Sequence, residues 1–157
     1  LLGFRNPQPA GRALLVPLDN PGEVIAGQTA RFGDPILLDL GNRGVRGLGT
    51  SHSQVLILAG AHDNAPRSQI FAWSPLSPEA LPLPGTELAD LNAEAIEPLP
   101  DPTRTAWLLA SDDGSSMVEG RECKRLKDPT LKRFRTVEIT VGPTTASVSP
   151  STSPDAP

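Results

Sequence analysis

The chain has 157 residues, enough for one small domain, and a formal net charge of −4. Its 18 prolines and 14 glycines, in a chain that is 38% hydrophobic, point to short strands joined by many turns. A single cysteine, Cys123, excludes an intramolecular disulfide and a cysteine-rich metal site, and no apolar run approaches the ~20 residues of a membrane-spanning helix.

Ala13-Leu14-Leu15-Val16-Pro17-Leu18 reads as a strand, and Pro17 places it at an edge because proline donates no ladder hydrogen bond. Asn20-Pro21-Gly22 is a turn signal, and Glu23 to Ala26 suits one helical turn. Pro35-Ile36-Leu37-Leu38-Asp39-Leu40 predicts a second strand, closed by Gly41.

A strand-pair pattern then occurs twice. Gly44-Val45-Arg46-Gly47-Leu48 is followed, after the polar turn Thr50-Ser51-His52-Ser53, by Val55-Leu56-Ile57-Leu58-Ala59-Gly60. Asn92-Ala93-Glu94-Ala95-Ile96 is followed by Ala106-Trp107-Leu108-Leu109-Ala110 and the loop Ser111-Asp112-Asp113-Gly114. The spacing of roughly 48 residues is that of a β-propeller blade. Between the copies, Gln69-Ile70-Phe71-Ala72-Trp73 carries apolar residues on both faces, and Pro75, Pro78, Pro82 and Pro84 leave room for a short outer strand at best.

Residues 118–135 hold seven of the fourteen basic residues, including all three lysines, and read as a charged, solvated excursion with Cys123 exposed within it. No aromatic residues interleave with these charges as a single-strand nucleic-acid binder requires. From Arg133 to Val141 the chain alternates, with Phe134, Thr136, Glu138 and Thr140 on one side and Arg135, Val137, Ile139 and Val141 on the other, which predicts an outer strand. Residues 142–157 are proline, serine and threonine with almost nothing to bury, and are expected to be a disordered tail. The organisation expected is therefore a folded region over 1–141 and a tail over 142–157.

Taken together, Gly3-Phe4-Arg5, the Ala13–Leu18 run, Arg31-Phe32-Gly33-Asp34-Pro35 with the strand after it, Gly44-Val45-Arg46, Leu58-Ala59-Gly60, Asn92-Ala93-Glu94-Ala95, Leu109-Ala110-Ser111-Asp112-Asp113-Gly114, Cys123-Lys124 and Arg133-Phe134-Arg135 carry a resemblance. In their order and spacing the chain resembles a bacterial family catalogued as domain of unknown function 3616 (DUF3616), over about residues 3–141. Two departures are Ala93, where the family usually has proline, and Ala61-His62, which replaces a more glycine-rich loop. The resemblance implies a β-propeller-like fold, of which this chain is the C-terminal part, and it implies no mechanism.

The fold expected is thus all-β: a partial propeller of about two four-stranded antiparallel blades plus outer strands of a preceding blade. Strands that would close the ring are lacking, so the isolated chain is expected to self-associate through open blade edges. The compartment stays open, because Leu1-Leu2-Gly3-Phe4 reads like the inside of a domain.

Aligning the repeats through Leu58 and Leu109 sets Arg46 against Glu94, on the innermost strands of neighbouring blades. Such a pair is either a clasp between blades or a ligand-facing pair in the channel mouth. Asn92, Glu94, Asp112 and Asp113 are oxygen donors at the ends of two adjacent strands, a partial set for Ca²⁺, which takes six to eight oxygens. Ser111-Asp112-Asp113-Gly114 also suits a plain turn. The two histidines, His52 and His62, lie in polar loops without a nucleophile elbow, and no glycine-rich loop is followed by a phosphate-binding helix. The function expected is a ligand-binding or scaffold module acting through its channel face on a small molecule or ion, with no nucleic-acid or membrane partner; the alternative is a metal-dependent propeller hydrolase, of lactonase or phytase-like type.

Overall fold

The structure is a computed structural model and describes residues 1–51, 54–61, 67–86, 88, 90–100 and 105–141. The expected disordered tail, His52 and His62 all lie outside the described residues. Among the described residues the chain is all-β apart from one short helix, α1 (Pro21–Ile25), and three single 3-10 turns. Among the described residues no helix is long and apolar enough to cross a membrane.

Three antiparallel sheets follow one another in sequence and stack face to face. The first is β1 (Leu2–Phe4), β2 (Ala13–Val16) and β3 (Ile36–Leu38), in that order. The second is four-stranded: β4 (Gly44–Ser51), β5 (Gln54–Gly60), β6 (Gln69–Trp73) and β7 (Ala80–Pro82). The third joins β8 (Ala93–Leu99) to β9 (Ala106–Ser111), and β9 to β12 (Thr136–Thr140). A small hairpin of β10 (Met117–Val118) and β11 (Arg121–Glu122) decorates the connection between β9 and β12. None of the sheets closes on itself.

The middle sheet is covered on both sides, which explains its composition. Ile57, Ala59, Phe71 and Trp73 face the first sheet and pack with Ala13, Leu15 and Leu38. Leu56, Leu58, Ile70 and Ala72 face the third and pack with Ile96, Trp107 and Leu109. A strand buried on both faces has no use for polar alternation, hence the uninterrupted apolar run of β5 and the complete burial of β6.

Four expectations need correction. Two four-stranded sheets were expected; the third sheet has three strands among the described residues, because β12 pairs directly with β9 and ends the sheet there. The first sheet is more than an outer remnant, because β1 packs against β4 in the way that β4 packs against β8. Cys123 is buried, at 4% exposure, because a 3-10 turn points it inward. Its Sγ donates to the Arg133 carbonyl oxygen and accepts from the Arg133 amide, both at 3.4 Å. Finally, Gly47 pairs with Leu58 and Ala95 with Ala110, so Leu109 corresponds to Ile57 rather than Leu58. A one-residue offset moves a side chain to the other face of a sheet.

The sheets converge at the inner strand β4. A Cβ at Gly49 would lie 2.5 Å from Trp107 Cζ3, one at Gly47 3.0 Å from Ile96 Cγ2, and one at Gly44 2.2 Å from the Arg5 carbonyl oxygen. The last obstacle is backbone and cannot rotate aside. Gly44→Ala is therefore expected to lower stability by about 2–3 kcal/mol, the upper part of the overpacking range. Gly22 lies in the first turn of α1 with nothing within 4 Å of its would-be Cβ. Gly22→Ala is expected to raise stability by about 0.5–1 kcal/mol, as helix propensity and loss of unfolded-state freedom dictate. Urea unfolding of the two variants beside the parent checks both signs.

Candidate functional site

Two inner strands carry the same irregularity. In β4 the ladder with β5 steps from Val45↔Ala59 to Gly47↔Leu58, leaving Arg46 as the extra residue of a bulge. In β8 the ladder with β9 steps from Ala93↔Ser111 to Ala95↔Ala110, leaving Glu94 as the extra residue. A bulge re-aims the side chain of its unpaired residue. Here the two side chains meet across adjacent sheets: Arg46 Nη1 donates to Glu94 Oε1. Arg46 Nη2 donates to the carbonyl oxygen of Ala61, just beyond the end of β5.

The pair is asymmetric. The Arg46 side chain is 1% exposed and that of Glu94 is 35% exposed. The guanidinium is thus sealed inside and the carboxylate forms its outer wall. Space for the arginine stem comes from Gly60, where a Cβ would lie 2.9 Å from Arg46 Cγ. Beside the Arg46 stretch of β4 runs a shallow groove of about 390 Å³, formed by Leu1, Leu2, Gly3 and Phe4 on one side and Val45 to Leu48 on the other. Leu1 and Leu2 are substantially exposed along it.

Of the four expected oxygen donors, the three carboxylates are each engaged by a protein partner. Glu94 is engaged by Arg46. Asp112 is exposed, and its Oδ1 accepts the Gly114 amide at 2.9 Å in a turn of its own. The Asn92 backbone carbonyl accepts the Asp112 amide at 2.9 Å, which closes the end of the β8–β9 ladder. Asp113 is 7% exposed, and both of its oxygens are taken. Oδ2 accepts the Arg135 amide at 2.8 Å and Nε at 3.0 Å, and Oδ1 accepts Arg135 Nη2 at 2.8 Å and the Ser111 hydroxyl at 3.0 Å. Among the described residues, no three His, Cys, Asp or Glu side chains come together as donors for a metal ion.

Asp113 and Arg135 form a bidentate charge contact that sequence reading did not pair. Arg135 also donates to the Asp90 carbonyl oxygen at 3.0 Å, so one guanidinium ties the loop before β8, the turn after β9 and the entry to β12. Bidentate arginine–carboxylate geometry of this kind is directional as well as strong. The only signal available in the sequence was Arg135 opening an alternating stretch.

A second, larger cleft of about 650 Å³ lies at the opposite, outer end of the first two sheets. It is bounded by Leu37 and Asp39 on one side and by Phe71, Glu79, Ala80 and Pro82 on the other, with Arg12 at its rim. None of these residues stood out in the sequence as a site.

No protein-family model, no curated protein and no solved structure matches the chain.

The hydrogen bonds from Arg135, against the opposing effect of burial, hold the Asp113 carboxyl down at about 2, from an ordinary value of 3.8. A carboxyl depressed in the folded state contributes stability that is complete above its unfolded value and is lost as the pH falls through the folded one. Arg135 is half exposed, so solvent screening trims the contribution to about 1–2 kcal/mol. Asp113→Asn is therefore expected to cost about this much at neutral pH, with the deficit shrinking as the pH falls from about 4 to about 2. Denaturant unfolding of parent and variant across that interval measures it; a deficit independent of pH would separate Asp113 from the acid sensitivity of the fold.

Proposed function

We propose that the chain is part of a β-propeller-like module of the family it resembles, and that it works as a ligand-binding or scaffold module through the face formed by its inner strands. The observation that carries this reading is the repeated bulge, which sets Arg46 and Glu94 at the same height on neighbouring inner strands. Bulges occur preferentially where a strand has to re-aim a side chain beside a site. Arg46, itself held by the Ala61 carbonyl, fixes the Glu94 carboxylate, whose exposed third is the charged group offered to solvent. The neighbouring groove of leucines and Phe4 supplies apolar contact. Together they suit a small ligand with an apolar body and a cationic head.

The hydrolase alternative has less support. It needs Asn92, Glu94 and an aspartate converging on Ca²⁺, whereas Asp113 is committed to Arg135 and Asp112 to its own turn.

Phenethylammonium is a suitable probe, since it joins an aromatic ring to a cation. Titration followed by backbone amide shifts is expected to move Gly3, Leu48 and Glu94. Glu94→Gln should weaken the binding several-fold, because it removes the charge and keeps the shape. Equal affinity in both proteins, or no response at these amides, would leave the pair a clasp between sheets and overturn the ligand-binding reading.

A further inference from the structure

The first sheet has three strands and the second has four, and the difference leaves a space. In the second sheet β7 occupies the fourth place, beyond β6. In the first sheet β3 is the last strand, and no described strand pairs with its outer edge. The large outer cleft lies at that edge: Leu37 and Asp39 bound it on the β3 side. Its floor is the face of the second sheet on which a fourth strand of the first would lie, with Phe71 of β6 and Ala80 and Pro82 of β7. Phe71 and Pro82 are cross-strand partners, so both stand on that face, and Ala80 of β7 and Ile36 of β3 both pack against the apolar cluster shared by the two sheets.

We propose that this cleft binds an extended peptide strand, which pairs with the outer edge of β3 and becomes the fourth strand of the first sheet. Strand addition of this kind takes its affinity from main-chain hydrogen bonds and its selectivity from alternate side chains. The floor calls for an apolar residue at every second position of the incoming strand. Asp39 and Glu79, both exposed, flank the cleft on its two sides, against one cation, Arg12. The balance favours a strand carrying basic residues beside its apolar ones.

Two features of the protein favour β3 over the other bordering edge. The β7 edge is blunted, because Pro82 has no amide to donate and Pro78 precedes the strand. In β3 all three residues, Ile36, Leu37 and Leu38, keep their amides, and Pro35 lies outside the strand. The cleft is at the far end of the sheets from Arg46 and Glu94, so the proposal stands apart from the reading of the inner-strand face.

The test uses the full chain and a synthetic pentapeptide, acetyl-Lys-Val-Thr-Val-Lys-amide, followed by backbone amide shifts. Saturable shifts at Leu37 and Ala80 are expected, with a dissociation constant in the high micromolar to millimolar range. The same peptide N-methylated at alternate residues keeps its side chains and charges but loses main-chain donors, and is expected not to bind. Glu79→Lys, a change at an exposed position, should weaken the parent peptide about fivefold, the scale of one exposed charge pair. Absence of shifts at Leu37, equal binding of the N-methylated peptide, or unchanged affinity in Glu79→Lys would each overturn the proposal.

Discussion

The architecture rests on how closely backbones approach along β4. This strand alternates glycine with larger residues over much of its length, and its glycines meet neighbours on both sides: Arg5, just beyond β1, at Gly44, and Ile96 and Trp107 of the third sheet at Gly47 and Gly49. Side chains at those positions would hold the sheets apart at the inner edge. Away from it the packing residues grow, and Phe71 and Trp73 fill the space between the first two sheets. Small residues inside and aromatic ones further out make a wedge. The close approach of backbones and side chains at Gly44, Gly47 and Gly49 makes β4 intolerant of added volume.

The same geometry explains why an arginine can be buried at the inner edge. A charged group removed from water is costly unless its donors are satisfied and a counter-charge lies close. Arg46 reaches Glu94 on the next sheet and the Ala61 carbonyl on its own, and Gly60 vacates the volume its stem occupies. Net stability does not account for such a pair, since apolar replacements of similar shape are often neutral or better. What the pair does supply is relative placement, because it locks the heights of β4 and β8. The Asp113–Arg135 contact does the corresponding work within the third sheet. There it joins the β10–β11 hairpin, the buried Cys123 and backbone hydrogen bonds such as Lys124 N to the Gly114 carbonyl in holding the long connection from β9 to β12.

Much of this was legible in the residues. The strands around 44–60, 69–73 and 93–111 follow from apolar runs bounded by turn residues, and the doubled pattern led to Arg46 and Glu94 as neighbours. The one-residue error in aligning β5 with β9 has a physical origin. Val55-Leu56-Ile57-Leu58-Ala59 is apolar on both faces, so no polar position marks which side chains face which sheet. Only the ladders, read outward from the two bulges, fix the register. Cys123 and Asp113 were misjudged for a different reason. Each sits in a polar stretch, and each is buried by a partner distant in sequence, Arg133 and Arg135 respectively. Local composition carries no trace of such a contact. The outer cleft is still less visible, because it arises from a strand that one sheet has and its neighbour lacks.

The two exposed edges of the first sheet are therefore not equivalent. At the inner end β1 is held against β4, its glycine fitted over Val45, and the groove beside it is shallow. At the outer end β3 is a strand of three residues with a hydrogen-bonding edge beyond it and an apolar floor behind it. An open edge is ordinarily a hazard, met by charge, proline or covering structure. Around β3 the charges are Asp39, Glu79 and Arg12, at the rim rather than within the strand, and the nearest proline, Pro35, precedes it. The edge is short and flanked by a net acidic rim, which discourages pairing with the same edge of a second copy. A complementary strand with a different charge pattern meets no such barrier, so these residues screen incoming strands by sequence.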